Sequence, residues 1–85
     1  MIVPTVHLNG TSKDELLRQV RNADSWICRA MEALREAYPN GRDYYPQGPG
    51  ALKQATEEHR ARIDRLVDIR TELLALEAAI EEQGR

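Results

Sequence analysis

The sequence predicts a mainly α protein: an antiparallel helical hairpin with a short N-terminal strand or extended arm, assembling into a homo-oligomeric helical bundle. Three observations predict it. Apolar residues recur in steps of three and four along two long stretches, the pattern of an amphipathic helix. A Pro- and Gly-containing loop at residues 39–48 separates those stretches. The 85-residue chain has one Trp and no Phe, little material for a core of its own. A chain of this size buries only about 60% of its unfolded surface, and without disulfides or a metal the usual remedy is oligomerisation. Length and composition fit a single domain over residues 1–85.

Residues 1–9 read MIVPTVHLN. Val3, Thr5 and His7 alternate with Val6 and Leu8, a period of two rich in β-branched residues. Pro4 has no N–H and belongs at a strand edge or start. The chain offers no second convincing strand, so the segment either pairs with its counterpart in another copy or lies on the helices as an arm.

Helix one is expected over residues 12–38. Ser12 and Glu15 have the capping-box spacing, and Asp14 and Glu15 place negative charge at the positive end of the helix dipole. Pro39 disfavours helix at the residue before it. The seam reads Leu16, Val20, Ala23, Ile27, Ala30, Leu34 and Ala37, in alternating steps of four and three. Leu17, Met31 and Tyr38 flank it in a line that Asp24 interrupts. Trp26 lies beside the seam and reads as a packing anchor between protomers or an interface hot spot.

In the loop at residues 39–48, Asn40-Gly41 accepts a left-handed φ and Asp43 can close an Asx-turn. Helix two is expected over residues 49–83, opened by Gly48-Pro49-Gly50. Its seam reads Leu52, Ala55, His59, Arg62, Leu66, Ile69, Leu73, Leu76 and Ile80, with Ile63, Val67 and Leu74 in a second line. Two helices joined in a hairpin bury one stripe each, and these carry more than one. The surplus is the argument for further copies of the chain.

Charge and cysteine content narrow the function. Charged residues are 31% of the chain, but the net charge is −2 with mixed signs. That leaves no broad basic face for duplex nucleic acid. Cys28 is the single cysteine, which excludes an internal disulfide and fits a reducing cytosol. The N-terminus lacks a signal-peptide pattern, and no apolar run reaches the ~20 residues that span a bilayer. The expectation is a soluble cytoplasmic protein without a membrane partner.

Candidate site residues cluster in and after the loop. Arg42, Tyr44, Tyr45 and Gln47 exceed what a turn requires. Tyr offers flat faces for stacking, Arg a planar fork for phosphate or carboxylate, and Gln a base-edge reader. His59 and Arg62 occupy seam positions where Leu or Ile is expected. A buried Arg or His is costly unless paired, so these two either bridge to Glu58, Glu36 or Asp43 or face a polar pocket at the bundle end. The competing reading is structural, with the tyrosines capping the bundle and Arg42 and Asp43 pinning the turn. At the other end, His7, Asn9, Thr11 and Ser12 form a secondary candidate, a weak anion site at a helix N-terminus; the helix cap alone also explains them. The two histidines lie far apart in the chain, and the sequence holds no metal-ligand spacing, nucleophile elbow, Gly-rich phosphate loop or carboxylate dyad. Neither a metal, a cofactor nor an enzymatic activity is expected.

The stretch HLNGTS at His7–Ser12, the stretch PNGRDYYPQG at Pro39–Gly48 and the following EHRAR together resemble a group of short, mostly uncharacterised proteins carried by phages and prophages. The resemblance covers nearly the whole chain. It implies a small viral accessory protein acting in the host cytoplasm, of a kind that binds a host protein, a virion partner or a nucleotide signal of host defence. The resulting expectation is a non-enzymatic binder that sequesters a small anionic, nucleotide-like ligand, an anti-defence sponge. The alternative is a protein-interaction module that inhibits or adapts a host or virion protein.

Overall fold

A computed structural model describes residues 1–84. Three α-helices follow the extended N-terminal segment: α1 (Lys13–Glu36), the short α2 (Gly41–Tyr44) and α3 (Ala51–Glu81), with a 3-10 turn at Tyr45–Gln47 between the last two. The long helices pack side by side as a hairpin, giving a rod of 61 × 20 × 16 Å. No strand occurs among the described residues.

The helix boundaries follow local chemistry. Ser12 caps α1, its Oγ accepting the Glu15 N–H at 3.1 Å. The capping box is only half made, because the Glu15 carboxylate turns to Arg18 and Gln19 instead. The loop at residues 39–48 is more helical than its composition indicates. Asn40 is extended (φ −115°) and caps α2 through Arg42 N–H, so it does not take the left-handed φ expected of it. The left-handed positions are Gly48 (φ 98°) and Gly50 (φ 93°), where a side chain would be strained. Gly50 is the N-cap of α3, which leaves Pro49 outside the helix.

The packed seam keeps one row of the expected seam on each helix, through Val20, Ile27 and Leu34 and through His59, Leu66, Leu73 and Ile80, and exchanges the other row. On α1, Leu17 and Met31 are buried and Lys13, Val20, Asp24, Ile27 and Leu34 are half-buried. On α3, His59 and Ile80 are buried and Ile63, Leu66, Arg70, Leu73 and Glu77 are half-buried. Both lines step by four and three. The expected seam members Ala23, Ala30, Ala37, Arg62 and Ile69 are exposed. The cause is Asp24. A carboxylate counts against a core line, yet here it accepts from Arg70 Nε at 2.9 Å. The pair lets a charged layer stand in the middle of the seam, between apolar layers.

Ion pairs fix which flanks of the two helices share a side. Arg21 reaches Glu77 and Glu81, and Arg60 donates to Tyr38 Oη at 3.1 Å. The rows through Arg21, Cys28 and Arg35 on α1 and through Arg60, Val67, Leu74 and Glu81 on α3 therefore line one side of the hairpin. By the same helical geometry, Leu16, Ala23, Ala30 and Ala37 share the other side with Arg62, Ile69 and Leu76.

The N-terminal segment is an arm, and its strand-like backbone finds a partner without a strand. The Gln83 amide accepts the Val6 N–H at 2.7 Å and donates to Pro4 C=O at 2.7 Å. One side chain thus stands where a neighbouring strand's peptide would. Lys13 Nζ closes the same end by donating to the Glu81 and Gln83 carbonyls at 2.8 and 2.6 Å. These are the orphan acceptors of the α3 C-terminus, and a cation suits that end of the dipole.

Candidate functional site

The sequence proposes six residues around the loop, and the structure divides them. Tyr44 and Gln47 line an open groove of about 170 Å³ with Ala51, Gln54, Ala55 and Glu58. The short α2 and the 3-10 turn fold back on the first turns of α3 to form it, and the Gly48–Gly50 turn permits that reversal. Gln54 Nε2 donates to Glu58 Oε2 at 3.1 Å along one wall. The groove is about half the ~300 Å³ at which small-molecule pockets begin.

His59 does not face this groove. It is 4% exposed and its Nε2 lies 2.6 Å from the Leu34 carbonyl oxygen. A carbonyl only accepts, so Nε2 carries the proton and Nδ1 is the free lone pair. The Arg62 guanidinium approaches that lone pair at 3.4 Å. Tyr38 covers the imidazole edge-on, with ring centroids 5.4 Å apart and planes at 86°. Leu34 lies in the last turn of α1, where its carbonyl also accepts the shared Ala37 N–H at 3.1 Å. His59 is therefore an interhelical cap. None of the bridges to Glu58, Glu36 or Asp43 expected for His59 and Arg62 forms. Arg62 is exposed, on the same α3 row as the groove residue Ala55.

Arg42 and Tyr45 are exposed on the outer surface of the loop, Tyr45 at 78%. The six residues thus give two groove walls, one buried cap and three exposed side chains. The secondary cluster divides as well. Ser12 is a cap, and His7 C=O accepts the Gly10 N–H at 3.1 Å to close a turn. A Cβ at Gly10 would come within 2.7 Å of His7 Nε2, so the His7 ring lies over the glycine and would have to swing aside for a larger residue. Asn9 and Thr11 are exposed, and the four gather at the opposite end of the rod from the groove.

A second groove, about 190 Å³, lies on the ion-paired side between Cys28, Met31, Glu32, Arg35 and Arg70. Sequence reasoning does not reach it, since its members are scattered and only helical register aligns them. Trp26 is 61% exposed and carries the Arg29 guanidinium 5.3 Å from its ring centroid, so it does not pack within the hairpin. Among the described residues, no group of three His, Cys, Asp or Glu is placed to hold a metal ion. Among the same residues no helix is long and apolar enough to cross a membrane.

Comparison with protein-family models gives no match, and neither curated proteins nor solved structures give one.

Proposed function

We propose that the protein is a non-enzymatic binding protein, a homo-oligomer of helical hairpins whose loop end holds a small anionic, nucleotide-like ligand. The observation that supports this reading is the groove of Tyr44 and Gln47, with Arg62 on the adjoining row and Arg42 on the same loop. An aromatic face, an amide and two guanidinium groups at one end of the rod are the chemistry that stacks a base and neutralises a phosphate. Action is by sequestration, and in a phage-encoded protein the sequestered species is a nucleotide messenger of host defence. His59 has no part in binding beyond holding the helix that carries Arg62.

The test is native mass spectrometry of the protein purified from cells with an active nucleotide-signalling defence, followed by calorimetric titration with AMP and with a cyclic dinucleotide. A discrete oligomer carrying a few hundred daltons per site supports the proposal. Arg42→Ala and Tyr44→Ala then weaken nucleotide binding at least about tenfold with oligomer mass and helicity unchanged, the loss expected when a charge-assisted bond or a stacking face is removed. A bare oligomer that binds neither nucleotide sinks it.

A second reading, a protein-interaction module acting on a host or virion protein, is favoured by a separate observation. Ile2 and Leu8 of the arm are 96% and 98% exposed, and Trp26 stands out beside them in accessibility. Substitutions at these three residues, with the loop intact, are the ones that would abolish such an interaction.

A further inference from the structure

The side of the hairpin opposite the ion pairs is the least explained surface of the molecule. On α1 and its C-cap it presents Leu16, Ala23, Ala30 and Ala37 at intervals of seven. On α3 it presents Arg62, Ile69 and Leu76 at the same interval. Ile69 is 45% exposed, and Ala23, Ala30 and Ala37 are exposed. The opposite flank also shows apolar side chains, Val67 and Leu74, but Arg21, Glu77, Glu81, Arg60 and Tyr38 are tied together around them. No such bond crosses between the helices on the Ala–Ile–Leu side.

We infer that this face packs against a second copy of the chain, α1 of each copy over α3 of the other, in a two-fold four-helix bundle. This deepens the oligomeric part of the reading above by naming the surface and the arrangement. Three observations carry it. The first is area. The chain exposes 6361 Å², whereas a compact monomer of its 9.7 kDa exposes about 5,100 Å². The excess is of the order of the ~800 Å² per partner that a standard interface covers. The second is the repeat. The face carries the same seven-residue period as the seam already packed inside the hairpin, one row further round each helix. The third is size complementarity. One row is mostly Ala and the other holds Ile69 and Leu76. Small residues facing large ones interlock, while Ala on Ala and Ile on Ile leave the layers unequal. The Asp24–Arg70 and Leu34–His59 bonds set Ile69 at a height between Ala23 and Ala30. A two-fold axis parallel to the rod preserves that height, so Ile69 of each copy enters the gap between two alanines of the other.

The arrangement has a consequence for the groove. The α3 row of this face begins at Ala55, which also lines the groove of Tyr44 and Gln47. A second copy seated on the face adds a wall to a groove too small by itself for a nucleotide. It also places both loops at the same end of the bundle.

Sedimentation equilibrium on the full chain, with circular dichroism on the same samples, tests the interface. The wild type is expected at twice the 9.7 kDa chain mass. Ile69→Glu and Ala30→Glu raise the dimer dissociation constant at least about 100-fold, as burying an unpaired carboxylate requires. Val67→Glu, on the ion-paired side, changes it less than about threefold, as expected of an exposed charge. Because an isolated hairpin can lose its helicity, the decisive arm is a mixture. Ala30→Glu combined with Ile69→Lys restores a helical dimer that neither forms alone, since the introduced carboxylate and ammonium meet across the interface. Spin labels at Pro49→Cys in a Cys28→Ser background then lie less than half the 61 Å rod length apart. A helical monomer in the wild type, equal dissociation by Val67→Glu, failure of the mixture to associate, or labels a full rod length apart overturns the inference. A dimer that passes these tests but binds no nucleotide leaves the interface standing and removes only the ligand reading.

Discussion

The two ends of the hairpin solve one problem by opposite means. Each long helix ends with carbonyl groups that its own backbone serves incompletely, α1 with one Ala37 N–H shared among several. At the loop end, α1 is capped by His59, an imidazole that is almost wholly buried beneath Tyr38. At the terminal end, α3 is capped by Lys13, whose ammonium donates to two carbonyls at the surface, while Gln83 ties down the arm. The buried cap is irreplaceable by water. The surface cap competes with water at every moment. The difference predicts that stability is concentrated at the loop end, where the candidate groove lies, and that the arm end opens first.

The largest effect is therefore expected at His59. His59→Leu keeps the bulk but leaves the Leu34 carbonyl with only the Ala37 N–H as donor, and the loss of stability is about 1–2 kcal/mol, read from urea unfolding. His59→Gln retains an N–H donor on a chain of similar reach and loses less. If the leucine variant unfolds at the wild-type urea concentration, the bond between Nε2 and Leu34 contributes nothing and the contrast between the two ends collapses.

A smaller effect is expected at the terminal end. Lys13→Met removes a surface charge from the α3 C-terminus at a cost of about 0.5–1 kcal/mol. Gln83→Ala frees the arm with little effect on global unfolding. Its signature is local: hydrogen exchange at the Val6 amide accelerates to near the rate of an unstructured peptide, while the α1 and α3 amides stay protected. Protection at Val6 that survives the substitution would mean that something other than the Gln83 amide holds the arm.

Much of this contrast was legible in the residues, and the part that was not has physical causes. The Ser12 cap, the Pro39 stop and the seven-residue repeats mark the hairpin because each is a local signal. Which repeat faces the sister helix is not local. Leu16–Ala23–Ala30 and Leu17–Asp24–Met31 are adjacent rows, and apolar content favours the first. The second packs inside the hairpin because Arg70, far away in sequence, neutralises Asp24. His59 stays in the row that both seams share and is buried, while the exchange of the other row exposes Arg62, so two residues expected in one site are separated. The arm reads as a strand because its side chains alternate. Whether a strand's partner is another strand or one Gln side chain is set by a residue at the far end of the chain. In the loop, Tyr44 and Gln47 line a groove while Arg42 and Tyr45 do not, because in helical turns residues three apart share a face and only the first pair faces α3.

The weakest of the expected effects lies beside the surface cap and fixes the lower limit of the scale. Glu15, in the first turn of α1, accepts from Arg18 Nε and Nη2, at 2.9 and 2.6 Å, and from Gln19 Nε2 at 3.0 Å. Arg18 first and Gln19 second hold its carboxyl down at about 2 against an ordinary 4.5. A depressed carboxyl binds fewer protons folded than unfolded, so its contribution is present above pH 4.5 and disappears as the pH falls towards 2. The group is fully exposed and water screens it, which makes the contribution small. Glu15→Gln should flatten the acid limb of a melting-temperature profile between these limits and leave the neutral melting temperature nearly unchanged. A variant that loses as much stability at pH 7 as Lys13→Met would place Glu15 in the structural closure of the terminal end, and the surface of that end would then matter more than its exposure implies.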